Sequence, residues 1–238
     1  MKNIGIVAGK ELSSYLASPM AYIVAATFLA LSGTFFAAYL ADTSYTDTSI
    51  RGFLDAAQIL ILFFAAVLTM RLVAEEKKLG TWEFLLTVPL KDSEIILGKF
   101  IGSLAMLTGM LALTLYYPIL LIVLGDPDLG PIGTSYLGLF LLGSASLSIG
   151  IFTSSLTANQ IVSAVVAGGI IFGLWFLGMA ANFAPGAVGE ILSYLSLSQH
   201  FPDFMRGIID TRAIVYYLCV TALFLYLAIE SVESGRWR

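Results

Sequence analysis

The sequence predicts an all-α integral membrane protein with six transmembrane helices, and three observations carry that prediction. Of its 238 residues, 58% are hydrophobic and only 12% charged, where a soluble domain carries about 25%; too little polar surface remains to wrap a globule in water. Six stretches, about 20–40, 54–73, 97–124, 134–156, 160–182 and 213–232, stay mostly apolar for the roughly 20 residues a helix needs to cross the hydrocarbon layer. The 28 formal charges (12 basic, 16 acidic) fall at the ends of those stretches, none at mid-depth. With no strong internal repeat and no Gly- or Ser-rich linker, residues 1–238 read as one membrane domain.

Each element has its own signal. Ile4, Ala8, Leu12, Tyr15 and Leu16 recur at helical spacing before Pro19, which predicts a short amphipathic helix lying in the membrane interface rather than a cleavable leader. The third span is long, and Pro118 is placed to kink it or begin its exit. Between the fifth and sixth spans, 183–212 is too polar at its ends to cross. It holds "VGEILSYLSL" and "FPDFMRGIID", which predict two short helices dipping into the outer leaflet as a re-entrant hairpin, with His200 and Pro202 at the bend. Such backbone needs cover from protein or a water-filled cavity.

Six spans put both termini on one side. Nine of the 12 cations (Lys2, Lys10, Arg71, Lys77, Lys78, Lys91, Lys99, Arg236 and Arg238) then share that side, against Arg51, Arg206 and Arg212 on the other. The imbalance predicts cytoplasmic termini in a bacterial or archaeal cytoplasmic membrane. The lack of charges at mid-depth argues against a proton- or sodium-coupled carrier, whose relays depend on them.

Residues 75–100, "EEKKLGTWEFLLTVPLKDSEIILGKF", with Arg71, hold ten of the 28 charges. "RLVAEEKKLG" carries the second span into water, Gly80 breaks it, and Thr81 can cap a short new helix with Glu83 in its first turn. Trp82, Leu85, Leu86 and Pro89 share one face, with Phe84 and Val88 on another. Asp92 or Ser93 can cap the third span, with Glu94 near its start. A greasy cytoplasmic helix fringed with charge either rests on lipid or docks into a soluble partner, and its residues alone leave both open.

The segment 69–100 resembles the signature of ABC-2 type transporter permeases. It is most similar to the gliding-motility (GldF-type) branch and its NosY-type relatives, through Thr69-Met70-Arg71, Glu75-Glu76-Lys77, Gly80-Thr81, Glu83-Phe84-Leu85-Leu86, Pro89 and Gly98-Lys99. The resemblance implies a coupling helix that docks a separate ATPase through Glu75, Glu76, Lys77, Gly80, Thr81, Trp82, Glu83, Leu85, Leu86 and Pro89. It further implies two ATPase copies carrying ATP and magnesium, a second permease chain (the same or different), contact with membrane lipid, and a periplasmic or other accessory protein as a further partner. His200 and Pro202 would form the outer gate. The function implied is export or mechanical work driven by a separate ATPase. The alternatives are a membrane anchor or force-transmitting subunit in a motility or cofactor-maturation complex and, behind it, a secondary transporter or channel.

No cofactor, metal, nucleic-acid or catalytic role is expected of the chain itself. "GKF" at 98–100 is no phosphate-binding loop, since Ser93 stands where Gly is needed and Phe100 where Ser or Thr is. The serines of "GSASLSIG", 143–150, lack a histidine or aspartate partner in the spans. Ser144/Ser148, Ser146/Gly150, Gly98/Gly102 and Gly169/Gly173 read as packing pairs four residues apart, available to a dimer interface. Met106 and Met110, one turn apart, also read as packing rather than a copper path. Tyr116, Tyr117, Trp175 and Tyr194 suit an outer aromatic belt or a vestibule lining.

Overall fold

The computed structural model describes residues 2–42, 51–82, 90–124 and 127–235. Among these, no strand occurs, and the helices in chain order are α1 (Lys2–Ala17), α2 (Pro19–Asp42), α3 (Arg51–Thr69), α4 (Ala74–Lys78), α5 (Asp92–Thr114), α6 (Tyr116–Leu124), α7 (Leu129–Leu156), α8 (Gln160–Ala181), α9 (Ala187–Leu195), α10 (Pro202–Met205) and α11 (Thr211–Gly235). Among the described residues, six helical stretches are long and apolar enough to cross a membrane: Pro19–Ala41, Gly52–Lys78, Asp92–Val123, Leu129–Leu156, Gln160–Ala181 and Thr211–Ser234. They coincide with the six expected spans, the third beginning one turn earlier than its apolar run.

Two spans are interrupted, each for a visible reason. Pro118 has no N–H to offer the Thr114 carbonyl one turn before it. That carbonyl instead accepts the Tyr136 hydroxyl at 3.0 Å, and the helix breaks at Leu115 before resuming as α6. The break therefore lies one turn ahead of the proline. In the second span, Ser154 of α7 reaches into the backbone ladder. Its hydroxyl accepts from the N–H groups of Val73 and Ala74, each at 3.1 Å, and donates to Met70 O at 3.2 Å. Residues 70–73 form a turn that separates α3 from α4, as expected where a side chain inserts into a helix.

The centre of the bundle is α7, and small residues let its neighbours approach. Gly138 lies under Phe201 and Phe204, Gly143 against Leu107 and Ile61, and Gly150 against Thr69. The hydroxyls of Ser144, Ser146 and Ser148 donate to carbonyls of their own helix at 2.7–2.8 Å, so these serines are satisfied packing residues.

The first helix is docked along its length. Asn3 meets Glu94, Val7 meets Gly98, and Glu11 meets Gly102. The constant offset makes α1 run side by side with the start of α5, parallel to it, a partner that the expected interfacial helix did not specify. Gly98 and Gly102 provide the groove, and a Cβ on either would collide with Val7 or Glu11. Farther along, Ser32 and Leu29 of α2 meet the Tyr117 hydroxyl at 3.0 and 3.1 Å, which sets Pro19 roughly beside Leu104. Residues 92–103 of α5 thus extend past the start of the first span on the side of the chain's N-terminus, by about 18 Å at 1.5 Å per residue. This extension is where α1 docks.

At the opposite end, two short helices join the fifth and sixth spans as expected, with Pro202 at the first position of α10. The Leu197 N–H donates to Leu174 O at 3.3 Å, seven residues back from the end of α8, so the chain returns about 10 Å along that helix. Thr134 and Ser135 of α7 donate to Phe204 O at 2.6 and 3.2 Å.

Replacing Gly150 with Ala is expected to destabilise the protein by about 1–3 kcal/mol, because the Thr69 side chain already occupies the space. Gly133→Ala in the same helix meets nothing within 4 Å and should be neutral or stabilising. Apparent melting temperatures of the two purified variants check this.

Candidate functional site

The charge-rich end of the bundle is built from α1, α4 and the extension of α5. Lys99 is only 1% exposed along its side chain, and its ammonium sits 2.8 Å from Glu11 Oε1 and 2.9 Å from Glu76 Oε2. Lys10 closes the arrangement from outside, 3.2 Å from Glu76 Oε1 and 3.6 Å from Glu11 Oε1. Burial alone would lower the Lys10 pKa. The attraction of Glu76 and Glu11 outweighs it and holds the ammonium above its ordinary value.

Four charges from three helices thus neutralise one another in a partly dry site. A buried ammonium is tolerable only because carboxylates face it from both sides. Beside the cluster a cavity of about 290 Å³ opens between α1 and α4, and Lys10, Ser14, Arg71 and Glu75 line part of it. The Arg71 guanidinium lies 4.9 Å over the Tyr15 ring and donates to Ser18 Oγ at 3.2 Å. Lys77 turns the other way and donates to Ser155 O at 2.5 Å, while Asn3 Nδ2 ties α1 to Glu94 at 3.1 and 3.2 Å.

These contacts assign the residues expected to dock an ATPase. Glu75 borders the cavity, Glu76 belongs to the ion cluster and Lys77 pins α4 to α7. Gly80 ends α4 with φ +71°, a left-handed conformation that favours glycine. The Thr81 hydroxyl donates back to Glu76 O at 3.3 Å, and Thr81 and Trp82 are themselves helical. Trp82 is 7% exposed and packs in the chain's own core, so its ring faces inward. Glu83, Leu85, Leu86 and Pro89, with Phe84 and Val88, lie outside the described residues. The third span begins after Lys91, whose N–H donates to the Glu94 carboxylate at 3.2 Å; Asp92, expected as the cap, is its first helical residue.

Among the packing pairs, Gly98 and Gly102 are covered by α1, and Ser144 and Ser148 are buried within the chain. These four are therefore taken up by internal packing and are not free for a second copy, whereas Gly169 and Gly173 have nothing within 4 Å. Tyr117 is also buried, so Tyr116 and Tyr194 are the exposed members of the expected aromatic belt.

The hairpin between the fifth and sixth spans is held by aromatic residues. His200 stacks on Tyr216, with ring centroids 3.9 Å apart and planes 3° from parallel, and its Nδ1 lies 3.0 Å from Ser196 O. The hydroxyls of Tyr216 and Tyr217 donate to Leu195 O and Leu197 O at 2.6 and 2.8 Å. Burial pushes the His200 pKa down, a pull that the Ser196 carbonyl and the charges of Asp210 and Asp203 oppose without overcoming.

Such an architecture defines a multi-pass membrane subunit with one strapped, charge-rich end and one hairpin-closed end. The family profile described as ABC-2 family transporter protein matches residues 33–229, and the chain belongs to this family. It is also 29% identical over 177 residues to the "Probable multidrug ABC transporter permease YbhS" of Escherichia coli (strain K12), and equally to the protein of that name in Escherichia coli O157:H7. That alignment covers 71% of this chain and 45% of the relative, so the chain spans a little under half the length of the curated relatives it matches.

Two outcomes follow. Lys99→Met should destabilise the protein by about 3–5 kcal/mol, because it removes the buried cation between Glu11 and Glu76 and leaves both to the exposed Lys10 alone. Adding Glu11→Gln and Glu76→Gln should recover much of that loss, and thermal melting of the single and triple variants reads both. For His200, the unfolded chain binds more protons than the folded one between the lowered pKa and the ordinary value near 6.5. Stability should therefore be full above about pH 6.5 and fall as the pH drops below it, and His200→Phe should flatten that part of the profile.

Proposed function

We propose that this chain is the membrane subunit of an ATP-driven exporter, gripped at its cytoplasmic surface by a separate ATPase through residues 75–91. The observation that carries the reading is the ion cluster of Lys10, Glu11, Glu76 and Lys99, which ties both flanks of that segment to α1. Membership of the ABC-2 family supports an ATPase partner and a paired permease chain, and the name of the E. coli relatives, a probable multidrug transporter permease, supports drugs as the cargo class.

In this reading each of two ATPase copies binds ATP with magnesium, and closure of the ATPase pair displaces the segment 75–91. With α4 and the α5 extension strapped to the same helix, a push on either moves both. The displacement passes through α7, which also carries the outer hairpin by the Thr134 and Ser135 bonds to Phe204 O. The hairpin around His200 and Pro202 then opens or closes the outer mouth of the path, its tip dipping into the outer leaflet. Both termini lie in the cytoplasm of a bacterial or archaeal cell under this orientation.

The likeness of residues 69–100 to gliding-motility permeases favours a second reading, in which hydrolysis performs mechanical work without cargo. Reconstitution with the ATPase separates the two. Hydrolysis stimulated by a drug cargo supports export, and hydrolysis indifferent to any cargo supports a mechanical role.

Docking is checked by co-purification. Leu86→Asp should reduce recovery of the ATPase about tenfold or more, the effect of losing roughly 1.4 kcal/mol of binding. Unchanged recovery together with unchanged stimulated hydrolysis would overturn the docking assignment.

A further inference from the structure

Around α1 lies a second, apolar space that the ATPase reading does not use. It is an open groove of about 360 Å³ where the end of α1, the first turns of α2 and the middle of α5 meet. Ala21, Ala25, Ala105 and Gly109 line it, among larger apolar side chains such as Met106 and Met110. The groove exists because four small residues face one another where α2 joins α5 at an offset of about 85 residues. No protein atom lies within 4 Å of where a Cβ on Gly109 would stand.

The position of the groove selects its occupant. Residues 21–25 are the first turns of the first span, so the groove sits at the level of acyl chains in the leaflet next to the chain's N-terminus. Leu16, Tyr22 and Leu113 are exposed at its edges, so it is reached from the surface of the chain. Tyr15 lines both the groove and the charged cavity that Lys10 and Arg71 border. From the α1–α5 register, Lys10 stands beside Ile101, about three residues and hence roughly 4.5 Å on the aqueous side of Pro19. That is headgroup depth, and the Arg71 guanidinium, bonded to Ser18 Oγ at 3.2 Å next to Pro19, stands near the same level, where the phosphate of a lipid whose chain fills the groove would lie.

We propose that the groove between α1, α2 and α5 binds one acyl chain of a cytoplasmic-leaflet phospholipid, its phosphate at the level of Lys10 and Arg71. The chain replaces the packing that two converging helices leave undone, since an unfilled apolar space forfeits its dispersion contacts. A lipid in this place wedges between α1 and the first span, and α1 carries Lys10 and Glu11 of the ion cluster. The site requires the membrane orientation alone and would stand even if no ATPase docks.

The test reconstitutes the full chain in nanodiscs containing a phosphatidylethanolamine with a diazirine on one acyl chain, and maps photo-crosslinks by mass spectrometry. Crosslinks are expected to concentrate on residues 105–113 and 16–25. Gly109→Phe should fill the groove and lower that yield about tenfold, while Gly169→Phe on the open face of α8 leaves it unchanged. Labelling spread evenly over α8 and the groove, or labelling in the groove that Gly109→Phe does not reduce, would overturn the proposal. So would efficient Tyr22→Cys disulfide crosslinking between two copies, which would make the occupant a second chain. Melting temperatures of the Phe variants confirm that any loss of labelling is not loss of fold.

Discussion

One ammonium group organises the charged end of this protein. Lys99 sits at the start of a membrane span with almost no access to water, and Glu11 and Glu76 reach it from helices 88 and 23 residues away in sequence. Neither carboxylate would be stable against the apolar flank of α5 without that cation, and the cation would be prohibitively costly there without them. The consequence is an order of assembly in space. Once α5 is extended beyond the first span, its lysine dictates where the N-terminal helix and the end of the second span come to rest. Gly98 and Gly102 then bring the α1 backbone near enough for Glu11 to reach.

The rest of the bundle is arranged around α7 on the opposite principle, with little charge and much close contact. Glycines at three levels admit Phe201 and Phe204, Leu107, and Thr69, while serine hydroxyls fold back onto their own helix. In lipid there is no hydrophobic gain from bringing helices together, so close packing of small residues supplies the attraction. The charged end is specific because few partners match, and the central helix because few shapes fit.

Much of this was legible in the sequence. The six spans follow from apolar runs that exceed the hydrocarbon thickness, and the hairpin before the last span from a stretch too polar at its ends to cross. Gly98 and Gly102 were readable as packing residues, but their partner was not, since nothing in a spacing of four tells an intramolecular helix from a second chain. The ion cluster was invisible for a similar reason: Lys10, Glu11, Glu76 and Lys99 come from three separate segments, and each alone looks like an ordinary charge at a membrane boundary. Trp82 shows the limit of face assignment on a short segment, where one large apolar residue can turn inward as easily as outward. The apolar groove was hidden too, because Ala21, Ala25, Ala105 and Gly109 become a concavity only when two distant helices converge.

Ser154 changes which parts of the chain move as neighbours. At residues 73–74 two N–H groups of the second span turn from the backbone ladder to a single hydroxyl from α7, and Lys77 adds a bond to the next residue of that helix. The short helix α4 is therefore held twice, by backbone bonds from Glu75 and Lys77 to Arg71 O and Val73 O of the second span and by Ser154 and Ser155 of the fourth. A displacement of α4 would therefore be shared by the second and fourth spans, which are 80 residues apart at Ala74 and Ser154. Mechanical neighbours in this bundle follow its hydrogen bonds as well as the order of its sequence.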